Sequence, residues 1–292
     1  MTERHNPYDH PADTWLRGSF HGHSSEYSAC ASVPLAESVH RYSEVGAGFF
    51  SLTDHDHVTD LSAMRSQYPE LVFLEGFEYS SRENVLFAGA QVEALYEQSL
   101  EDALANAGDL LTVVCHPRPH ADGRDYWTRP MLEALGTWPD GIEVYNGHYG
   151  IEVALAKGRQ PLYTAFWDEL LTAGHHLWGY ANDDFHDPAD FDNAYNMVLV
   201  DERSAAGVVR AAKAGRSYAT TGLLLQSIQV EGDDIRVEVD APCRGAFIGP
   251  EGQQLAQDEG QSFSYRAGDE AYVRFEGQGE SGRIFLQPLW AH

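Results

Sequence analysis

The chain has 292 residues, 43% hydrophobic and 12% aromatic, enough to build packed cores and to exclude a disordered polymer. Its 19 basic and 45 acidic side chains give a formal net charge of −26, which repels nucleic-acid polymers and anionic membranes at long range. No stretch reaches the ~20 apolar residues of a membrane span, no apolar signal region opens the sequence, and Cys30, Cys115 and Cys243 are too scattered for a disulfide framework or zinc ribbon; a cytoplasmic location is expected.

Between about residues 15 and 215, short apolar strands alternate with amphipathic helices. Pro34 opens a helical stretch with Leu35, Val39 and Tyr42 at helical spacing, and Gly46 and Gly48 close it. The run 49–53 predicts a buried strand that ends in Asp54-His55-Asp56-His57. Residues 71–74 predict a strand leading into Glu75-Gly76-Phe77-Glu78, and 85–88 predict another. A helix over 100–107 stops at Gly108. Strands over 110–114 and 142–145 lead into Cys115-His116-Pro117 and Asn146-Gly147-His148. A helix over 162–172 ends at Gly174, and a strand over 177–180 delivers Asn182-Asp183-Asp184-Phe185-His186. A strand over 197–200 and a helix over 205–214 complete the series.

This alternation predicts a parallel α/β fold, and an α/β barrel would gather the polar strand ends at one rim. After Gly215 the helices stop. Short alternating strands punctuated by Gly, Asp and Pro predict a small antiparallel, β-sandwich-like domain. The expected division is residues 1–216 and 217–292.

The strand ends carry the chemistry. His21 and His23, one residue apart on an extended segment, point to one side and can share a cation. The ionisable run at 54–57 cannot be buried without partners. A glutamate of the Glu75-to-Glu78 segment can bridge two cations. His116 precedes a proline that fixes the chain direction, and Asp184 and His186 repeat the one-residue spacing. Histidine and carboxylate donors without thiolates suit zinc, manganese or iron better than calcium.

In this order, His-x-His, Thr-Asp-His, Gly-x-Glu, Cys-His-Pro and Asp-x-His, the sequence resembles the polymerase-and-histidinol-phosphatase (PHP) superfamily. More narrowly it resembles the stand-alone, carbaryl-hydrolase-like subgroup, in which a segment like 215–222 leaves the barrel for a β domain. The resemblance implies a distorted, TIM-like (β/α)7 barrel followed by that β domain, with two or three divalent ions (zinc, manganese or iron). It implies that His21, His23 and Asp184 hold one ion and that His55 and His116 hold a second. Glu78 would bridge them, with Glu75 as fallback, and His186 would serve a third ion or sit beside the first. The third position departs from the family pattern twice. Ser28-Ala29-Cys30 stands where an acidic residue is common, leaving Glu26 as the nearby carboxylate ligand, and Asn84 stands where a histidine is common.

The implied activity is phosphoester hydrolysis by a metal-activated hydroxide acting on a small-molecule phosphate ester. His186 or His148 would protonate the leaving group, and Arg118 would grip the phosphate. Two alternatives stand beside it: an amide, ester or carbamate hydrolase on the same metals, and a degenerate scaffold or binding protein whose β domain recruits a partner.

Overall fold

The computed structural model describes residues 4–12, 14–117 and 126–291. In chain order the first half comprises β1 (Arg4–His5), β2 (Thr14–Gly18), α1 (Leu35–Glu44), β3 (Phe49–Ser51), α2 (Ser62–Gln67), β4 (Val72–Tyr79), β5 (Val85–Gly89), α3 (Leu100–Ala105), β6 (Leu111–Val114) and α4 (Arg129–Ala134). There follow β7 (Gly141–Asn146), α5 (Gly147–Gly150), α6 (Glu152–Ala156), α7 (Thr164–Thr172), β8 (Trp178–Asn182), β9 (Tyr195–Val200), α8 (Ala205–Lys213) and β10 (Ser217–Thr220). The remainder is β11 (Leu225–Glu231), β12 (Asp234–Ile248), β13 (Gln254–Arg266), β14 (Tyr272–Gly279), β15 (Gly282–Phe285) and β16 (Leu289–Ala291). No helix is long and apolar enough to cross a membrane among the described residues.

These strands form two sheets among the described residues. The first has six strands in the order β3-β4-β5-β6-β7-β8. It is mixed: β5 runs antiparallel to β4 and β6, while the other neighbours are parallel. The alternation predicts a parallel α/β fold, and this sheet departs from it at β5 for a local reason. The link from β4 to β5 is too short for the dozen or so residues of a parallel crossover, so β5 folds back as a hairpin. The strand predicted over 197–200 is β9. It pairs antiparallel with β2 and β10 in the other sheet. That ten-stranded sheet also contains β1 and β11 to β16, and its β9-β10 pairing runs across the expected boundary at residue 216. Where the sequence predicts only short strands in this region, residues 234–248 form one long strand, β12.

Side-chain amides seal the outer edge of β8. Asn196 of β9 accepts from Ala181 N (3.0 Å) and donates to Ala181 O (2.7 Å). Gln287 does the same for Gly179, at 2.8 Å in both directions. Each amide takes the place of a neighbouring peptide, so the edge exposes no unpaired buried backbone groups. On the other edge, β2 and the segment after it dock beside β3 through Gly48 N to Arg17 O (2.7 Å) and Thr53 N to Gly22 O (2.9 Å).

Inside the first sheet, Phe20, Phe49, Leu74, Leu86, Leu111, Val113 and Tyr180 form a fully buried core. A separate core under the second sheet is built on Val237, Phe247, Phe263, Phe275 and Leu286. The two halves are joined by a buried ion pair. Arg274 of β14 donates to both oxygens of Asp168 on α7, at 2.7 and 2.6 Å, and to Glu276 at 2.7 Å. Tyr272 adds a fourth hydrogen bond, at 3.1 Å to Asp168. Removing one member of a buried, hydrogen-bonded pair strands the other charge. Arg274→Met should therefore destabilise the protein by about 3–5 kcal/mol in urea unfolding, and Asp168→Leu with Arg274→Met should recover most of that loss. A single substitution costing no more than an ordinary surface change would show that the pair does not join the halves.

Candidate metal centre

The strand ends converge. His21, His23, Glu78 and Asp184 are completely or almost completely buried, His116 and His186 are buried near the surface, and His55 is partly exposed. Backbone pairing fixes the His-x-His segment: Gly22 bridges Phe185, His23 N donates to Phe185 O at 3.0 Å, and Thr53 N donates to Gly22 O. The two histidines therefore face inward on the same side. Gly76, the glycine of Gly-x-Glu, permits the close packing of β4: a Cβ there would lie 2.5 Å from Phe87 O and 2.8 Å from the Thr53 methyl. His116 and Asp184 adopt left-handed backbone conformations, with φ of 25° and 51°. Such conformations cost free energy in non-glycine residues and concentrate at functional sites.

Glu78 stands at the centre. His116 Nε2 lies 3.0 Å from Glu78 Oε1. On the other side of the carboxylate, Oε2 lies 3.4 Å from the Nε2 atoms of His21 and His23 and 2.9 Å from His55 Nδ1. None of these three contacts has hydrogen-bond geometry, so the buried Oε2 and His55 Nδ1 are both without a hydrogen bond. Asp184 Oδ1 lies 3.2 Å from both His21 Nε2 and His23 Nε2. Among the described residues, donor atoms gather in five sets within 4.8 Å: His21, His23 and Asp184; His21, Glu78 and His116; His23, His55 and His186; His21, Cys115 and Glu143; and His148, His186 and Asp190. The expected pairing of His55 with His116 is thus revised. The two rings bracket Glu78 from opposite oxygens, and His55 groups with His186.

The charges account for one another. Burial alone would lower the His21 pKa, but Asp184 and Glu78 hold it well above the usual imidazole range. Burial would likewise raise both carboxylates, yet His21 and its neighbours keep Glu78 and Asp184 well below theirs. Burial pushes His23 down to about 4 against the pull of Asp184. His55 is held at about 10 and His186 at about 9, burial being outweighed by Cys30 and Glu78 at the first and by Asp184 and Cys30 at the second. Burial of the Cys30 thiol is in turn outweighed by His186 and His55, which bring it to about 6. The imidazoles held above their usual range offset the buried carboxylates, a role that divalent cations can take. An orphaned carboxylate oxygen among converging ring nitrogens fits such ions.

Sequence reasoning missed Glu143. Its carboxylate is fully buried and lies 2.8 Å from His21 Nδ1, which leaves His21 Nε2 to face the cluster. It also accepts from His116 N (2.7 Å), Asn146 Nδ2 (3.0 Å) and Asn182 Nδ2 (3.0 Å). The available signal was a lone charge between Ile142 and Val144 in an apolar strand. Asp54 plays a similar part around His23, accepting from Ser24 N and Oγ, Ser28 Oγ and Thr59 Oγ1 at 2.7–2.8 Å. With its oxygens so occupied, it organises the loop and does not face the cluster as a ligand.

Other expected residues lie elsewhere. Glu26 is exposed and accepts from Leu35 N at 3.2 and 3.0 Å, capping α1, so it is not part of the cluster. Glu75 pairs with Arg65 at 2.9 Å, which leaves Glu78 as the central carboxylate. His148 Nδ1 lies 3.0 Å from Asp190 Oδ2 beside His186, at the edge of the cluster. Asn84 serves through its backbone, its carbonyl accepting from Cys115 N and Trp127 Nε1. Arg118 lies outside the described residues.

No family model matches the sequence, and no curated protein is significantly similar to it. Among solved structures, a two-domain protein from Bacteroides vulgatus, described as containing a predicted PHP-like metal-dependent phosphoesterase, is similar over 99% of this chain and 100% of its own, at 18% identity and a TM-score of 0.56. The PsfC protein of Pseudomonas syringae covers 70% of this chain and 90% of its own, with 16% identity and a TM-score of 0.47. A Chromobacterium violaceum amidohydrolase with bound sulfate and no metal covers 59% of this chain and 88% of its own, with 16% identity and a TM-score of 0.41. The first similarity shows that this chain shares the fold of the Bacteroides protein over its length.

Glu143→Ala should weaken metal binding by about 10–100-fold, because partners behind a metal-ligating histidine fix its tautomer and orientation. Competition with a chelating dye measures this directly. Unchanged affinity would remove Glu143 from the centre.

Proposed function

We propose that this chain is a metal-dependent hydrolase of small-molecule phosphate esters. The observation that carries the reading is the buried Glu78 carboxylate, one oxygen against His116 and the other unpaired among His21, His23 and His55. His21, His23, Asp184 and Glu78 would hold one divalent ion, and Glu78 and His116 a second, with His55 adjoining the shared oxygen. Two such ions supply a hydroxide at neutral pH and offset the charge that develops on a phosphoryl group. Glu143 keeps His21 Nε2 turned inward, and Asn146 Nδ2 donates to Asp184 Oδ2 at 3.1 Å, turning Oδ1 toward the two histidines.

His148 is the proton donor to the leaving group in this reading. It lies at the edge of the cluster, and burial, which would lower its pKa, is outweighed by Asp190 and Asp184, so it stays protonated more readily than a free imidazole. Arg118 is the proposed phosphate grip. The choice of phosphate esters rests on the motif resemblance and on the description of the Bacteroides protein. All proposed ligands precede residue 217, so the segment 217–292 contributes none.

A panel of aryl phosphomonoesters, phosphodiesters, carboxylic esters, carbamates and amides tests the substrate class. Phosphoester turnover should dominate, disappear with chelator and return with added divalent metal. Faster ester or carbamate cleavage would overturn the phosphoesterase reading while keeping the metal centre. For the proton donor, His148→Gln should slow alkyl phosphates by about 10²–10⁴-fold and spare nitrophenyl esters, whose leaving groups need no proton. Equal losses on both would remove His148 from that role.

A further inference from the structure

We propose that Tyr27, braced by His57, is a specificity-determining residue at the mouth of the cluster, and that the preferred substrates are phosphate esters whose alcohol carries a flat aromatic ring. The inference rests on the phosphate-ester reading above and narrows its substrate class.

The Tyr27 ring stacks on the His57 ring at a centroid distance of 3.9 Å and an interplanar angle of 18°. Even so, Tyr27 remains 54% exposed. Among the described residues it is the only Phe, Trp or Tyr in the exposed class. Single exposed apolar side chains are ordinary on protein surfaces, so the weight falls on where this one stands. His57 follows His55 by two residues, a chain reach of about 7 Å at most. Tyr27 precedes Ser28, whose Oγ lies 3.3 Å from His23 Nδ1 and accepts from His55 N at 3.3 Å. Of the four rings around Glu78, His55 has the most exposed side chain, 32% against 9% or less for the others. The cluster therefore opens on the side where Tyr27 and His57 stand.

The segments that carry the two rings are both fixed. Beside Tyr27, Ser28 N donates to Ser24 O at 2.9 Å, and Ser28 Oγ donates to Asp54 Oδ1 at 2.7 Å. Beside His57, Asp56 holds a left-handed conformation with φ of 44°. Ser80 N and Ser80 Oγ both donate to the Asp56 carboxylate at 2.9 Å, and Asp56 N donates to Glu78 O at 3.0 Å. Such a turn costs free energy in a non-glycine residue and is held by its surroundings. A platform set before the substrate arrives loses little freedom on binding. Its open aromatic surface discriminates by shape and charge distribution. A flat ring stacks on it with an offset, whereas a saturated ring of the same bulk is puckered and has no π-face. With the phosphoryl group at the cluster, a ring on the ester alcohol meets Tyr27 on the open side.

Two pairs of phosphates isolate the ring: benzyl against cyclohexylmethyl phosphate, and adenosine 5′-monophosphate against ribose 5-phosphate. The full-length, metal-loaded protein should prefer the ringed member, and the pair with the larger preference tells an aryl group from a nucleobase. Tyr27→Leu should raise KM for the ringed member by about 3–10-fold, with the loss in KM and not in kcat, and shrink the preference by the same factor. Tyr27→Trp should keep the preference. Calorimetry with benzylphosphonate, which is not hydrolysed, should show the same loss of affinity in Tyr27→Leu. Circular dichroism checks that each variant is folded. Absence of a preference in the wild-type protein, a preference that survives Tyr27→Leu, or equal KM losses on both members of a pair would show that the stack only shapes its loop. Each of these overturns the inference and leaves the phosphate-ester reading intact. Failure of the folded, metal-loaded protein to turn over any of the phosphates overturns both.

Discussion

A carboxylate with no access to water must be matched by positive charge at close range, and the Glu78 site is arranged around that requirement. Glu78 is fully buried, and four imidazoles approach its two oxygens within 3.4 Å. The effective cost of dehydrating an isolated carboxylate is several kcal/mol, so such a group persists only with partners on every side. Here the partners come from the segment after β2, the end of β3 and the end of β6. The charge thereby ties together elements that are remote in sequence and gives their common rim the chemistry of a cation site.

The fold supplies a rigid frame for that rim. Glu143 on β7 reaches both His21 and the backbone of His116, so one buried carboxylate positions two of the clustered histidines. Asp54 does the same for the loop that carries Ser24 and Ser28. The left-handed turns at His116 and Asp184 aim side chains inward just past their strands, and the surrounding hydrogen bonds hold these unfavourable conformations in place. At the far side of β8, Asn196 and Gln287 close the strand edge with amides, so the second sheet stabilises the strand that delivers Asp184 and His186.

Much of this was legible in the sequence because strand ends are written locally. An apolar run followed by His or Asp marks both the strand and the direction of its polar terminus, which drew attention to His55, His116, Asp184 and His186, while His21 and His23 stood out by their own spacing. Features that depend on tertiary distance were not legible. Glu26 and Glu78 are both short of strong local signals, and only the fold shows one capping α1 and the other enclosed by histidines. Glu143 reads as an isolated charge until His21 is brought beside it. The place of β9 was not legible for the same reason: nothing local to residues 195–200 reveals that it pairs with β2, which is far away in sequence.

The central claim is that Glu78 is shared between two cations. Anomalous diffraction from crystals of the zinc-loaded protein tests it most directly. The account predicts two anomalous peaks on opposite sides of the Glu78 carboxylate, about 3.5–4 Å apart, one beside His21, His23 and Asp184 and the other beside His116. A single peak that leaves Glu78 uncoordinated, or no peak within the cluster, would contradict it.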